Sequence, residues 1–392
     1  MSIATLSAVP LEQIDEIDAF LARSIIASAP WPDAWRRDLE RQHRVIERAL
    51  YHGIAGLLTS RANALHEWPE PVHEAMHCQA LGQGMWEARH LSVLRNLLAQ
   101  FVANGIHPLL LKGTALAYDI YDYPAQRSRG DTDLLVENRE IELVHAALKA
   151  SGFVQDRNSA ENTNPFCLEQ LWVYTAPDGH SHVLDLHPQV LNTRLATDVF
   201  SITEMQSGAR ELPNLSPHAR APSHVSALLH ACIHRAQHFN SPYWVDGQPY
   251  KGGNRLIWLM DIHLLASALS TSEWDAFCFR AEQKGLAALC LHGLEAATER
   301  LETVVPDHAR QRLMLSDQRS PLHDKYFGGP FKSLWVEISA LPTLGERAGL
   351  FWRALFPSRR YLREKYPDAA WPTCILYLRR IIMGVFRRLR GR

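Results

Sequence analysis

The chain has 392 residues, and its 41 lysines and arginines nearly balance its 42 aspartates and glutamates, giving a formal net charge of -1. Hydrophobic residues make up 46% of the chain and charged residues 21%, a composition typical of soluble globular proteins. The balanced charge excludes a polyanion-binding role based on overall charge, and the length predicts two or three domains.

Three features of the sequence bear on its compartment. No uninterrupted apolar run approaches the roughly 20 residues that cross a bilayer. The N-terminal segment carries the acidic residues Glu12, Asp15, Glu16 and Asp18 and lacks the basic and apolar regions of a signal peptide. The six cysteines are scattered without a C-x-x-C pair, which favours reduced thiols. We therefore expect a cytoplasmic protein.

Helical periodicity dominates the N-terminal quarter of the chain. Apolar residues recur at three-four spacing over residues 11–26, 35–58 and 72–102, with prolines between the segments. Asn104 and Gly105 then form a helix stop, because both residues tolerate left-handed backbone angles. The pattern predicts a helical region over residues 1–105.

The pattern changes to alternating strands and helices after residue 105. Strands are predicted at residues 106–111, 131–136, 171–174 and 182–187, and helices at 114–120 and 139–150. The last two strands flank Pro177, Asp178 and Gly179, which together are a strong signal for a hairpin turn. We expect an α+β fold in which residues 106–200 form a small mixed β-sheet core flanked by helical regions.

Helical spacing returns in the C-terminal half. Helices are predicted at residues 225–239, 255–269, 274–284 and 287–301, and a loop at 237–253. These helices would form a substrate-side domain over residues 201–320, followed by a basic, aromatic extension over residues 321–392. From Arg353 to Arg392 the chain has eleven lysines and arginines, against only Glu364 and Asp368 as acids.

Three aspartates stand in predicted strands, although aspartate is a poor strand former. Asp131 and Asp133 are two residues apart, so their side chains would project from the same face of one strand. Asp185 interrupts a second apolar strand, which would add a third carboxylate if the two strands are neighbours. Because burying adjacent carboxylates without a cation is costly, the pattern predicts a divalent metal, Mg2+ or alternatively Mn2+, on hard oxygen ligands.

A second motif, Lys112-Gly113-Thr114, lies where the first strand of this core passes into a helix. Glycine lets the backbone approach a ligand closely, and a helix N-terminus offers N–H groups to a phosphate. The Lys112 ammonium and the Thr114 hydroxyl would add donors, and Arg127 and Arg129 would neutralise further phosphate oxygens. The structural alternatives are a solvated lysine at a strand end and an arginine that forms a salt bridge with the acids.

These residues carry a resemblance to a known family. Lys112-Gly113, an alanine/leucine helix, a tyrosine and then Arg-x-x-x-Asp-x-Asp-Leu-Leu-Val from Arg127 onward resemble the polymerase-β-type nucleotidyltransferase superfamily. More narrowly, the chain resembles a bacterial group of uncharacterised nucleotidyltransferases found in peptide and polysaccharide biosynthetic clusters. Asp185-Leu186-His187 resembles the strand that carries the third acid in that group, and the likeness covers roughly residues 90–300. The superfamily serine is Thr114 here, which keeps the hydroxyl.

The resemblance implies a metal-dependent enzyme in which Asp131, Asp133 and Asp185 hold Mg2+ against the triphosphate of an NTP. Asp185 would take the proton from an acceptor hydroxyl, and a nucleoside monophosphate would pass to a small molecule or peptide of a biosynthetic pathway. The helical region after residue 222 would supply the acceptor pocket. The alternative hypothesis is a catalytically silent protein of the same fold, acting as a binding or scaffold module in a biosynthetic assembly.

Three histidines on one predicted helix are further candidate site residues. His230, His234 and His238 are spaced four apart and share one helix face. They span about 12 Å along the axis, so one ion cannot bind all three. A zinc hydrolase built on His230 and His234 is one hypothesis. The other places this helix face across the cleft from the carboxylates, with His234 contacting the substrate.

His187 shares a strand face with Asp185, where it would contact a metal ligand or cap the strand. Arg255, Trp258 and Asp261 share one helix face at three-residue spacing. They are either core packing with an internal Arg–Asp pair or residues that close the domains or contact the substrate.

The basic C-terminal stretch also has two interpretations. Residues 381–386 are apolar and are followed by Arg387-Arg388-Leu389-Arg390, a pattern that resembles an interfacial helix attracted to anionic lipid. This would place the protein peripherally at the inner face of a membrane, whereas the alternative is a solvated helix. No sequence-specific nucleic acid partner is expected, because nothing else in the chain resembles base-reading chemistry.

Overall fold

The structure is a computed structural model of the chain. It describes residues 11–60, 65, 67–156, 169–191, 199–239, 243–245, 248–250, 254–316, 320–356, 359, 362, 366 and 371–389. Among these residues, no helix is both long enough and apolar enough to cross a bilayer.

Helices account for most of the described chain. The α-helices are α1 (Leu11–Ala27), α2 (Leu39–His52), α3 (Ala55–Ser60), α4 (Glu70–Ala103), α5 (Lys112–Ala117), α6 (Ile141–Ala150), α7 (Ile202–Gln206), α8 (His224–His238), α9 (Leu256–Ala268), α10 (Thr271–Gln283), α11 (Ala287–Leu301), α12 (Asp307–Leu315), α13 (Pro321–Phe327), α14 (Gly329–Ser339), α15 (Leu344–Leu355) and α16 (Thr373–Leu389). The strands are β1 (Leu109–Leu111), β2 (Asp131–Leu135), β3 (Val154–Gln155), β4 (Gln170–Thr175), β5 (Ser181–His187), β6 (Arg210–Glu211), β7 (Arg220–Ala221), β8 (Tyr243–Val245) and β9 (Gln248–Tyr250).

Five of the strands form one mixed sheet in the order β1-β2-β5-β4-β3. β2 and β5 are parallel neighbours, and the other pairs are antiparallel. β4 and β5 form a hairpin whose turn includes Gly179 with φ of 84°, which confirms the turn predicted at Pro177-Asp178-Gly179. The small mixed sheet with helices before and after it confirms the expected α+β fold.

The side chains of the sheet alternate between two cores. Leu110 and Leu134 face the helix α4, where they pack with Leu97 and Phe101 in one buried cluster. Their strand neighbours Leu109, Leu111 and Leu135 face the opposite side and join a second cluster. That second cluster is built mainly from the helices α1 to α3 and α8 to α11. The sheet is therefore covered on both faces, and its second face carries the polar residues described below.

Two local predictions are wrong. Residues 35–58 were expected to form one helix, but the chain breaks at Gly53, which adopts φ of 68° and separates α2 from α3. A Cβ at that glycine would lie 3.0 Å from Nη2 of Arg255, so a side chain there would be crowded as well as strained. The segment 237–253 was expected to be a loop, yet its described part contains the antiparallel strands β8 and β9.

Candidate active site

The parallel pairing of β2 with β5 places two carboxylates side by side. The register sets Asp133 opposite Asp185 and Leu135 opposite His187. Because side chains alternate along a strand, Asp131 shares the face of Asp133, and His187 shares the face of Asp185. The ligand atoms of Asp133, Asp185 and His187 all lie within 4.8 Å of one another. Asp131 stands outside this group, at the start of its strand, where its side chain is open to the cleft but surrounded by it.

Asp133 is the most strongly paired of these acids. Its Oδ1 lies 2.6 Å from Nζ of Lys112 and 2.8 Å from Nε2 of His187. Burial alone would raise its pKa, but the Lys112 ammonium and the hydrogen bond from His187 outweigh burial and hold the pKa well below its usual range. Asp133 is therefore an ionised carboxylate inside a buried site.

The other two aspartates have the opposite electrostatics. Burial, followed by the charges of Asp133 and Asp131, raises the pKa of Asp185 to about 8. Desolvation in the cleft and the charge of Asp133 also raise the pKa of Asp131. Burial, reinforced by the ionised Asp133, thus suppresses the ionisation of its two neighbours, and a bound divalent cation would offset both effects.

Lys112 and Gly113 form the turn from β1 into α5. Lys112 has φ of 50°, a left-handed conformation that is strained for a residue with a side chain. Its ammonium also lies 3.9 Å from Oε1 of Glu169, and these acids raise its pKa despite its burial. A Cβ on Gly113 would lie 3.3 Å from Cδ of Arg129 and 3.6 Å from Cζ of Arg127. The glycine therefore lets two arginines pack against the backbone of the motif.

Thr114 and Arg129 connect this motif to the helix α4. The Thr114 hydroxyl is fully buried, lies 2.8 Å from the Thr132 hydroxyl and accepts a 2.9 Å hydrogen bond from Nε of Arg129. Nη2 of Arg129 donates to Oε1 of Glu87 at 2.7 Å. Glu87 also accepts a hydrogen bond from Tyr118. The hydroxyl of Thr114 and the charge of Arg129 are thus bound to other side chains of the protein.

Arg127 forms a buried ion pair with Asp261. Its Nε and Nη2 donate to the two carboxylate oxygens at 2.7 and 2.8 Å, and Tyr121 donates to the same carboxylate at 2.8 Å. The pair joins the loop before β2 to the helix α9, across 134 residues of sequence. The partner of Asp261 is therefore Arg127, not Arg255 as the helical spacing allowed.

The helices α8 and α9 form the wall opposite the carboxylates. The rings of His234 and His238 each lie 5.3 Å from the ring of Trp258. The guanidinium of Arg255 lies over that same ring at 5.2 Å, while its Nε donates to the carbonyl of Tyr51. Burial lowers the pKa of His238 to about 4 and that of His234 well below its usual value, so both imidazoles are neutral at pH 7.

These groups enclose one cleft of about 690 Å³, counting the part that is open to solvent. Its lining comprises Lys112, Gly113, Arg127, Ser128, Arg129, Asp131, Asp133, Glu169, Asp185, His234, Gln237, His238, Arg255 and Trp258. His187 is fully buried and contacts Asp133 from within the protein. The cleft thus has the acids, Lys112, Arg127 and Arg129 on one side and Arg255, two neutral histidines and an indole on the other.

The chain matches the family model described as uncharacterised nucleotidyltransferase over residues 38–302, about two thirds of its 392 residues. The protein belongs to this nucleotidyltransferase family. No curated protein matches the chain. The match extends N-terminally beyond the resemblance seen from the motifs, and it includes the helices α2 and α3.

The sequence motifs missed Glu169 as a residue of the nucleotidyltransferase cleft. Its Oε1 lies 3.6 Å from Nδ1 of His187, in addition to its approach to Lys112. Glu169 directly precedes β4, which pairs with β5, so the sheet brings it to the same edge. An acid just before an apolar strand is ordinary in sequence, and only the strand order could have identified it.

A buried polar network supports the strand β2 from behind. The Thr132 side chain projects away from the two aspartates that flank it, and its hydroxyl lies 2.7 Å from Nε2 of His90. Nδ1 of His90 in turn lies 3.1 Å from Nδ1 of His182, and Trp86 stacks on His90 with ring centroids 4.3 Å apart. The network holds β2 in place at Thr132, the residue between Asp131 and Asp133.

The geometry gives no support to a zinc site on α8. Within the part of the chain that the structure describes, the only side chains grouped closely enough to hold a metal are Asp133, Asp185 and His187. His230 lies in a recess beside the cleft, which it lines together with His234, Ala227 and Ala231. His234 and His238 of this helix line the cleft that the carboxylates also line, whereas His230 does not.

Proposed function

We propose that this protein transfers a nucleoside monophosphate from an NTP to an acceptor hydroxyl and releases pyrophosphate. The pairing of Asp133 with Asp185 on adjacent parallel strands is the observation that carries the proposal. Phosphoryl transfer is catalysed mainly by positioning and by neutralisation of charge, and this cleft combines paired acids with four cationic side chains.

The residues present fit a divalent cation. Two carboxylates and an imidazole within 4.8 Å are a donor set suited to Mg2+ or Mn2+, and a cation would offset the burial and the neighbouring charges that raise the pKa of Asp185. Asp133, Asp185 and His187 would hold the ion, with Asp131 at the mouth of the site as a further ligand. The bound ion would supply charge neutralisation of the triphosphate and of the developing charge on the leaving oxygen.

The chain's own groups then position the nucleotide. We assign the Gly113 backbone and the Lys112 ammonium to the phosphates, because both line the cleft beside the acids. Arg127 and Arg129 are positive charges in the same wall, held in place by Asp261 and Glu87 respectively. Thr114 positions Arg129 through its buried hydroxyl. The phosphate seat is thus a rigid arrangement with little freedom to lose on binding.

The acceptor would bind against the α8–α9 wall. His234, His238 and Trp258 present neutral aromatic surfaces, and Arg255 adds one fixed charge. The acceptor hydroxyl would attack the α-phosphorus, a new P–O bond would form, and the bond to the β-phosphate oxygen would break. Asp185 faces this wall from the sheet and would take the hydroxyl proton.

A specific contact favours a second candidate function, a binding module of the same fold without turnover. Lys112 and His187 both contact Oδ1 of Asp133, so an ammonium already provides a counter-charge for this carboxylate. In this second proposal the ion pair replaces a metal as the partner of Asp133, and the protein acts as a scaffold in a biosynthetic assembly.

Pyrophosphate release distinguishes the two candidates. Full-length protein is incubated with Mg2+ or Mn2+, a desalted cell extract that has been freed of pyrophosphatase activity, and each of the four NTPs in turn. The enzyme proposal expects release above that of extract alone with at least one NTP, and loss of the release on addition of EDTA. Absence of release with every NTP and both metals would contradict the enzyme proposal and leave the binding module.

A further inference from the structure

The C-terminal helix α16 lies outside the family match, which ends at residue 302. The nucleotidyltransferase cleft therefore does not account for its sequence. One side of the helix is packed into the protein, because Leu376 is only 2% exposed. Three other apolar side chains are open to solvent, with exposed fractions of 45% for Ile375, 58% for Leu378 and 43% for Ile382.

These three side chains form a continuous stripe. At 3.6 residues per turn they lie within about 60° of one another around the helix axis, and about 100–160° away from Leu376. The stripe of Ile375, Leu378 and Ile382 thus faces away from the body of the protein. We call it the α16 stripe.

Exposed aromatic residues lie beside the α16 stripe. Trp371, just before the helix, is half exposed, and the guanidinium of Arg379 lies 4.9 Å from its ring centroid. The helix α15 is joined to α16 through a ring contact between Phe356, just after α15, and Tyr377 at 5.5 Å. α15 itself exposes Trp352. Indole rings at the border of an apolar stripe are typical of proteins that bind at a membrane–water interface.

The charge of this part of the chain selects among the partners that could cover the stripe. Residues 353–392 carry eleven lysines and arginines against two acids. A nucleic acid would pair with these cations but would leave the apolar stripe in water. A lipid surface with anionic headgroups accommodates both the cations and the apolar stripe, because arginines bind the headgroup phosphates while apolar side chains enter the acyl boundary. Arg379 and Arg380 stand near the middle of the helix, which favours a position in the plane of the interface.

We propose that α16 docks this protein on the surface of bilayers that contain anionic lipid. The α16 stripe enters the outer edge of the hydrocarbon region, the tryptophans lie at the headgroup level, and the arginines contact headgroup phosphates. This proposal does not depend on nucleotidyl transfer. Its consequence is that an acceptor carried on or near a membrane would be presented to the cleft.

Vesicle co-sedimentation of the full-length protein tests the proposal. Phosphatidylcholine vesicles are compared with vesicles in which part of that lipid is replaced by phosphatidylglycerol, at low and at high salt. We expect sedimentation with the anionic vesicles, weak sedimentation with the neutral ones, and weaker binding at high salt because screening removes the electrostatic part. Equal binding to both vesicle types, or no binding to either, would overturn the proposal.

A pair of variants locates the contact. Leu378→Glu combined with Ile382→Glu should weaken binding to anionic vesicles at least about tenfold, since two apolar side chains that would enter the bilayer are lost and two negative charges are added. Leu315→Glu is the matched control, because Leu315 is 87% exposed at the end of α12, and it should bind as the parent does. Undiminished binding by the double variant contradicts the proposal. So does a concentration-dependent dimer, seen by light scattering, that the double variant abolishes without any vesicle binding, because it assigns the stripe to a second copy.

Discussion

Asp133 and Asp185 occupy directly opposed positions on two parallel strands, and their carboxylates face one cleft. The arrangement joins residues 52 positions apart in sequence into a single group with His187. It is costly unless a cation balances it, because buried like charges repel. The opposed pair is therefore the structural basis of the proposed transferase activity.

Neutralising either member of the pair should abolish turnover while the fold is kept. Asp133→Asn and Asp185→Asn are each expected to lower pyrophosphate release at least about 100-fold, because each removes a carboxylate that would hold the divalent cation against the phosphates. Asp122→Asn removes an exposed carboxylate and should retain parental activity. Circular dichroism checks that all three variants are folded, and parental release by Asp133→Asn and Asp185→Asn would contradict the assignment.

The buried ion pair between Arg127 and Asp261 should be essential to stability. Asp261→Asn leaves the guanidinium without its counter-charge, and we expect a loss of about 3–5 kcal/mol in the free energy of unfolding. Urea denaturation measures this loss. The double variant Arg127→Met with Asp261→Leu should be more stable than Asp261→Asn, since it removes both charges. If Asp261→Asn unfolds at the same urea concentration as the parent, the ion pair does not stabilise the fold.

The sequence predicted the acidic part of the site because strand alternation is a local rule. Asp131 and Asp133 share a face by their spacing, and an aspartate in an apolar strand such as that of Asp185 is visible in the sequence. That these two strands, β2 and β5, are neighbours was a prediction, and their parallel register confirms it. Gly179 likewise identified its hairpin, because a turn is decided by a few neighbouring residues.

The partners of the arginines could not be predicted in the same way. Arg127 pairs with Asp261 and Arg129 with Glu87, at separations of 134 and 42 residues. Many acids in the chain compete for each guanidinium, and only the packing of α4 and α9 against the loop before β2 decides between them. Glu169 could not be predicted for the same reason, because its approach to the cleft depends on the strand order of the whole sheet.

Gly113 should be required for activity more than for folding. In Gly113→Ala the new methyl group would lie 3.3 Å from Cδ of Arg129, whose guanidinium is held by hydrogen bonds and cannot easily move. We expect a loss of about 1–3 kcal/mol in stability from overpacking and a larger relative loss of NTP affinity, measured by titration calorimetry. Gly130→Ala is the matched control, because a Cβ there meets no atom within 4 Å. Equal affinities for the two variants would show that the motif does not position the phosphates.

Stability should fall as the pH is lowered from about 6.5 to 4, in part because of His52. Its Nδ1 accepts a hydrogen bond from the backbone N–H of Leu256, and its Nε2 lies 2.9 Å from Asp18, so the neutral imidazole suits the site. Burial lowers the folded pKa of His52 from 6.5 to about 4. Below pH 6.5 the unfolded chain binds a proton that the folded protein excludes, which costs up to about 3 kcal/mol by pH 4.

A histidine variant isolates this contribution from that of the other buried histidines. Urea unfolding at a series of pH values should give a shallower pH dependence for His52→Gln than for the parent. His218→Gln changes an exposed imidazole and should keep the parental dependence. A parental slope in His52→Gln would show that this histidine is not buried in its neutral form.

Transfer of isotopic label tests the central claim most directly. The protein is incubated with Mg2+, cell extract and an NTP carrying 32P at either the α- or the γ-phosphate, and the labelled products are separated. The proposed chemistry predicts that α-label passes to an acceptor and that γ-label leaves as pyrophosphate. The Asp133→Asn variant should form neither labelled product. Transfer of γ-label to the acceptor, or no transfer of α-label with any NTP, would contradict nucleotidyl transfer.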